Sequence, residues 1–229
     1  MFTIKAVSAT DTGLQRNQNQ DYCLIDEEAQ LYVVADGLGG CPAGERASTE
    51  AVAQLQWQLL GQPKTLDTLR GAFLQVSHYV YGITLNKPGL MGMGTTMSAI
   101  WIDNGFAYLA HVGDSRIYML RGENFIQLTT DHTLRQELLA RGDDRGALNP
   151  RAKHLLTRTI GMGNVSVDGD TIGLQKGDRL LLCSDGVHGV LGNKMLKEIV
   201  QGGDPEDIVV AANGFGGPDN ITAVFVSVS

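Results

Sequence analysis

The chain has 229 residues, 43% of them hydrophobic, with 18 basic and 25 acidic residues that give a formal net charge of −7. That length supports one domain, 1–229, with a sizeable core, and no internal repeat, low-complexity tract or Pro/Ser linker divides it. The acidic balance, with no stretch concentrating Lys or Arg, excludes nucleic acid and anionic membrane as partners, so an anionic substrate must be attracted by something other than net charge.

From the N-terminus, Met1-Phe2-Thr3-Ile4-Lys5 has no signal-peptide pattern, and strands are expected at 2–9, 21–25 and 30–35. Helical spacing follows in 44–60, where Ala47, Ala51, Leu55 and Leu59 recur at i, i+4. It returns in 66–83, where Leu66, Leu69, Phe73, Val76, Val80 and Ile83 form one stripe. Met91 and Met93 are expected to fill packing gaps. Strands at 95–103 and 105–112 meet at the turn Asn104-Gly105, and further strands are expected at 115–121 and 124–128. The polar stretch 129–158 reads as a partly helical, flap-like excursion with a short helix at 132–141. Strands at 165–174 and 179–183 precede helices at 192–200 and 205–212, the latter with Asp204 as N-cap and Pro205 first. A strand at 221–228 follows. Runs of strands set apart from runs of helices argue for an α+β fold with antiparallel sheets. No apolar run approaches about 18 residues, and Cys23, Cys41 and Cys183 are odd in number and far apart. A reducing cytoplasm and a monomer are the expectation.

Aspartates recur in one local setting. Leu31-Tyr32-Val33-Val34-Ala35 runs into Asp36-Gly37, Leu109-Ala110-His111-Val112-Gly113 into Asp114, and Leu180-Leu181-Leu182-Cys183-Ser184 into Asp185-Gly186. Asp219 precedes the strand at 221–228, and Asp21 opens the one at 21–25. A carboxylate at an apolar strand end is costly unless paired or metal-bound, and Arg16 is the only nearby base early in the chain. Clustered carboxylates with glycine carbonyls suit hard ions such as Mg²⁺ and Mn²⁺. The bland alternative is that each Asp-Gly merely turns the chain.

The order of motifs resembles the bacterial branch of the metal-dependent Ser/Thr protein phosphatases, type 2C. They are Arg16-x-x-Asn19-Gln20-Asp21, Val34-Ala35-Asp36-Gly37-Leu38-Gly39-Gly40, Gly44-Glu45-x-Ala47-Ser48 and Gly94-Thr95-Thr96. His111-Val112-Gly113-Asp114-Ser115-Arg116, Thr129-x-Asp131-His132-Thr133, Leu181-Leu182-x-Ser184-Asp185-Gly186 and Asp219-Asn220 follow. The resemblance implies a four-layer α-β-β-α sandwich of two mainly antiparallel sheets flanked by helices. It implies two tightly bound Mn²⁺ or Mg²⁺ ions, bridged by Asp36, with the Gly37 carbonyl on the first and Asp185 and Asp219 on the second. Asp21 would hold metal-bound water, Asp114 a third, weaker ion, and Arg16 the substrate phosphate; Ser184 and Asn220 would support the ligands. A metal-activated water would then hydrolyse phosphoserine or phosphothreonine, in partners that include a cognate Ser/Thr kinase or its substrates.

The sequence departs from the family's pattern at Leu38, where some members carry a histidine, at Cys41, where bacterial members often do, and at Asn149-Pro150 in place of His-Pro. Three rival readings stand beside this one. A thiol phosphatase built on Cys41 and Arg46 has four intervening residues where that chemistry needs five. A non-catalytic module of the fold would have lost metal aspartates that are present here. A metal-dependent nuclease conflicts with the acidic surface.

Overall fold

A computed structural model describes residues 2–38, 43–85 and 87–229, apart from the side chain of Pro88. Its strands are β1 (Ile4–Asp11), β2 (Asp21–Asp26), β3 (Leu31–Asp36), β4 (Met97–Asp103), β5 (Phe106–Val112), β6 (Arg116–Arg121), β7 (Asn124–Gln127), β8 (Asp168–Gly173), β9 (Arg179–Cys183) and β10 (Ile221–Val228). Its helices are α1 (Gly44–Leu59), α2 (Leu66–Leu85), α3 (Leu134–Ala140), α4 (Asp144–Ala147), α5 (Asp185–His188), α6 (Asn193–Gly202) and α7 (Pro205–Gly214). One sheet runs β2-β3-β4-β5-β8 and the other β1-β10-β9-β6-β7, and every neighbouring pair is antiparallel.

The two-residue period of a strand sorts the core into three slabs. Leu31, Val33 and Ala35 of β3 face the helices, packing with Leu55 and Ala47 of α1 and Phe73 of α2. Tyr32 and Val34 face the opposite way and meet Ile117, Leu182, Val224 and Val226 of the second sheet. Leu181, Cys183 and Phe225 line the far face of that sheet, under Leu196 of α6 and Ile208 of α7. Burial on both faces explains why β3 and β9 read as unbroken apolar runs instead of alternating ones. The four-layer α+β sandwich is thus observed.

Local chemistry fixes the joints. Asn104 and Gly105 take φ of +47° and +82°, the left-handed pair that a two-residue hairpin turn requires. Asp204 caps α7 by accepting from the Asp207 N–H, Asp207 returns the bond, and Pro205 stands in the first turn. The expected strand at 2–9 starts and ends two residues later, and 165–174 shortens to Asp168–Gly173. Met93 is buried, but Met91 is 76% exposed, so only one of the two methionines packs. Among the described residues no helix is long and apolar enough to cross a membrane.

Candidate active site

The ends of the two sheets open into a cleft of about 570 Å³ whose walls carry Asp36, Asp114, Asp185 and Asp219 together with Arg16, Gln20, Thr96 and His154. Both sheets contribute. Asp36 closes β3, directly opposite Asp21 in the β2–β3 register. Asp185 opens α5 just after β9, and Asp219 stands just before β10.

Asp36 is fixed through its main chain. Its N–H donates to Thr96 Oγ1 at 3.0 Å, and its carbonyl accepts from the Thr96 N–H and Thr95 Oγ1, each at 2.8 Å. Gly37 is needed for close approach and not for a left-handed turn. A Cβ there would sit 2.2 Å from the Gly44 carbonyl oxygen and 2.7 Å from that of Gln20. Gly186 is similar, since its Cβ would lie 2.0 Å from the Asn220 carbonyl oxygen. The Asp-Gly pairs at 36–37 and 185–186 therefore mark places where two backbones touch, and the turn explanation fails for both.

Asp21 lies beneath the cleft wall, 7% exposed. Its Oδ2 accepts from Ser184 Oγ at 2.6 Å, while its Oδ1 is buried with no hydrogen-bond partner among the described residues. Ser184 also accepts from the Thr222 N–H at 3.1 Å, which ties β9, β10 and Asp21 together. Asn220 laces the distant N-terminal segment to β10. Its Oδ1 accepts from the Gln20 N–H, and its Nδ2 donates to the carbonyls of Thr12 and Gln18.

Asp114 is held from behind by two histidines that the sequence did not single out for this. The Gly113 N–H donates to His132 Nδ1 at 3.1 Å, and the Gly113 carbonyl accepts from the His132 N–H at 2.7 Å. His188 Nε2 bonds the Asp114 carbonyl at 2.9 Å; a carbonyl only accepts, so Nε2 carries the proton. Burial, with Arg116 adding to it, pushes His188 down to about 4, so the ring is neutral. Arg116 grips Asp131 in a fork, its Nε donating to Oδ1 at 2.8 Å and its Nη2 to Oδ2 at 2.6 Å. The simple pairing of Asp114 with Arg116 is absent. His111 is likewise buried and occupied, with Ser98 Oγ at 2.9 Å and the Thr130 carbonyl at 3.2 Å.

Four carboxyls of this group resist ionising. Burial first, then repulsion from Asp21, Asp185, Asp114 and Asp219, drives Asp36 well above the usual range. Burial raises Asp21 and Asp114 to about 7 against the pull of their hydrogen bonds, with Asp185 adding repulsion. Burial and Asp219 raise Asp185, whose carboxyl is close enough to Asp36 to share a hydrogen bond. Arg16 offsets only part of this. Its Nη2 meets Asp219 Oδ2 at 2.6 Å, with the side chains 45% and 33% exposed.

Oxygen-only donors, mutual repulsion and an orphaned buried carboxylate oxygen fit a hard divalent cation. Among the described residues, no three Asp, Glu, His or Cys side chains converge into a cage that could hold an ion alone. Mg²⁺-like ions keep several waters and need only one or two carboxylates each, so a ring of carboxylates round an open volume suits them.

Thr96, His154 and His188 are the site residues that sequence reasoning left without a role. Gly94-Thr95-Thr96 was a motif with no assigned task. His154 follows a single 3-10 turn, Pro150–Lys153, inside the polar excursion. His188 is three residues beyond Asp185, at the end of α5, a helix of four residues that is too short to show a periodicity. Cys41, Gly39 and Gly40 lie outside the described residues.

A family model described as "Protein phosphatase 2C" matches residues 14–202. The protein phosphatase PhpP of Streptococcus pneumoniae is 35% identical over 236 aligned positions that cover 96% of each chain. The serine/threonine phosphatase stp of Listeria monocytogenes is 35% identical, covering 95% of this chain and 93% of that protein. The catalytic domain of the phosphatase PstP, solved with two manganese ions, superposes with a TM-score of 0.89 at 32% identity, covering 100% of this chain and 99% of that one. Sequence match, four-layer fold and carboxylate-lined cleft agree, and the chain belongs to the protein phosphatase 2C family.

Proposed function

We propose that the chain hydrolyses phosphoserine and phosphothreonine in proteins, with two divalent ions, Mn²⁺ or Mg²⁺, held by the cleft carboxylates and a third, weaker ion at Asp114. The observation that carries this reading is the crowded carboxylate set with the unpartnered Asp21 Oδ1, in which Arg16 is the one guanidinium among the described residues that line the cleft. The names of the relatives, and the manganese in PstP, support it. When bound, such ions supply Lewis acidity toward phosphoryl oxygens and lower the pKa of an attacking water.

The protein's own groups divide the remaining work. Asp36, backbone-clamped by Thr95 and Thr96, stands central enough to be shared between ions, and Gly37 offers its carbonyl next to it. Asp185 and Asp219 line the same cleft from the other sheet, and Asp21, opposite Asp36 in the β2–β3 register, keeps an unpartnered Oδ1 among the described residues. Ser184 and Asn220 orient Asp21 and the Asp219 segment through the bonds described above. Arg16 has a planar fork suited to two phosphate oxygens. Its pairing with Asp219 is half-exposed and therefore weak, so turning toward a phosphate costs little.

Turnover of an aryl phosphate and of a phosphothreonine peptide should require Mn²⁺ or Mg²⁺ and stop on adding EDTA. Turnover that survives chelation would defeat the reading, and preferential cleavage of an aryl phosphodiester would favour a nuclease. Arg16→Ala should mainly raise KM for aryl phosphate. The loss of a charge-assisted contact is worth roughly 1.5–3 kcal/mol, on the order of ten- to a hundredfold. An unchanged KM with normal metal binding would remove Arg16 from phosphate recognition.

A further inference from the structure

Charge is unevenly spread over the surface. The excursion 129–158 holds six Arg or Lys against four Asp or Glu, in a chain with 18 against 25. Most of its acids are already engaged. Asp131 is gripped by Arg116, Glu137 pairs with Arg141, and Asp143 caps the Gly146 N–H. Of its bases, Arg141 and Arg158 are paired, with Glu137 and Asp168. Arg135, Arg145, Arg151 and Lys153 have no carboxylate within ion-pair distance among the described residues.

Two of these free bases, Arg151 and Lys153, stand in the short turn immediately before His154, which lines the cleft. Asn149 Oδ1 accepts from the Arg151 N–H at 3.0 Å, Pro150 stiffens the turn, and Ala152, 2% exposed, anchors it in the interior. In a 3-10 turn, side chains three apart eclipse, so Arg151 shares a face with His154. His154 lines the cleft and lies within electrostatic reach of Asp185. Arg151 thus stands one turn, about 6 Å, from that cleft-lining residue. An extended peptide spans that distance in about two residues.

We infer that Arg151 and Lys153 form a basic lip that recognises acidic residues flanking the phosphorylated one, about two to four positions away. The substrate class is therefore phosphoproteins whose target Ser or Thr sits in an acidic or multiply phosphorylated segment. The chain's net charge of −7 disfavours an acidic segment in general, and the unpaired bases beside the cleft offset that repulsion locally.

The inference rests on the phosphatase reading, and its test separates the two. Phosphothreonine peptides with neutral or with Asp/Glu flanks at those positions would be compared, with p-nitrophenyl phosphate as a probe too small to reach the lip. The wild-type enzyme should favour the acidic peptide in kcat/KM by about fivefold at low ionic strength. The double variant Arg151→Gln, Lys153→Gln should lose that preference while keeping kcat/KM for p-nitrophenyl phosphate, which also shows that it is folded. About 1 M salt, where the screening length is about 3 Å, should erase the preference in the wild type. Equal kcat/KM for both peptides, or a preference that survives the double substitution, overturns the lip. Failure of the wild type to hydrolyse p-nitrophenyl phosphate with Mn²⁺ overturns the underlying phosphatase reading instead.

Discussion

Asp36→Asn is expected to abolish turnover and yet, with divalent ions chelated, to raise the thermal midpoint. Asp36 is buried among four other carboxylates, each of which pushes its pKa further up. A group whose folded pKa is raised stabilises the fold below its unfolded pKa, and that contribution is lost as pH climbs through the folded value. For Asp21 and Asp114 the window runs from 3.8 to about 7. The ion-free wild type should therefore lose stability across that window and recover it when Mn²⁺ is added. Asparagine has nearly the same shape and no charge, so it relieves the crowding while losing the ability to hold two cations. Turnover with Mn²⁺ should fall at least about a hundredfold, roughly 2.7 kcal/mol of barrier. Measuring kcat with Mn²⁺ and the midpoint in EDTA at about pH 8 on one preparation reads both effects. Retention of more than about a tenth of wild-type turnover, or a lowered ion-free midpoint, would refute the shared-carboxylate role.

Asp114→Asn should act differently, leaving two tightly bound ions in place while turnover falls at least about tenfold. Asp114 meets the Asp36–Asp185 pair through charge alone and shares no hydrogen bond with it, so an ion there should have fewer protein ligands and be the first lost on dilution. Its loop does not depend on its carboxylate. The backbone on either side is held by His132 and His188, and Arg116 is committed to Asp131. With Mn²⁺ present, the substitution should therefore shift the midpoint little. Calorimetric Mn²⁺ titration beside kcat separates the possibilities: a destabilised but fully active protein would reduce Asp114 to a structural turn residue.

The sequence exposed the layers because strand chemistry is local. Apolar runs such as Leu31–Ala35 and Leu180–Cys183, the Asn104-Gly105 turn and the Asp204 cap each carry their own signal within a few residues. The aspartates were legible for a related reason, since charge at the end of an apolar run is conspicuous. What supports them was not. Thr96, His132 and His188 act through main-chain groups brought near by pairing between distant strands, and such contacts leave no pattern along the chain. Short elements were hidden too. α5 spans four residues and α4 four, too few for a periodicity to appear. Met91 and Met93, two residues apart, show the same limit, because they lie in irregular chain just after the 3-10 turn Pro88–Leu90, where no periodicity separates a buried position from an exposed one.

The placement of β10 bears on how the protein acquires activity as it is made. This strand lies in the interior of its sheet, between β1 and β9, and its partner β1 comes from the opposite end of the sequence. Thr10 bonds Thr222, Asn220 bonds Thr12 and Gln18, and Arg16 meets Asp219, all across more than 200 intervening residues. Such long-range closure is slow and brings no reward until the last segment arrives. A nascent chain that has emerged only as far as α7 has a gap in the middle of one sheet and lacks one wall of the cleft. Synthesis and catalysis are thereby ordered in time, since the cleft cannot be completed before Asp219, Asn220 and β10 have emerged.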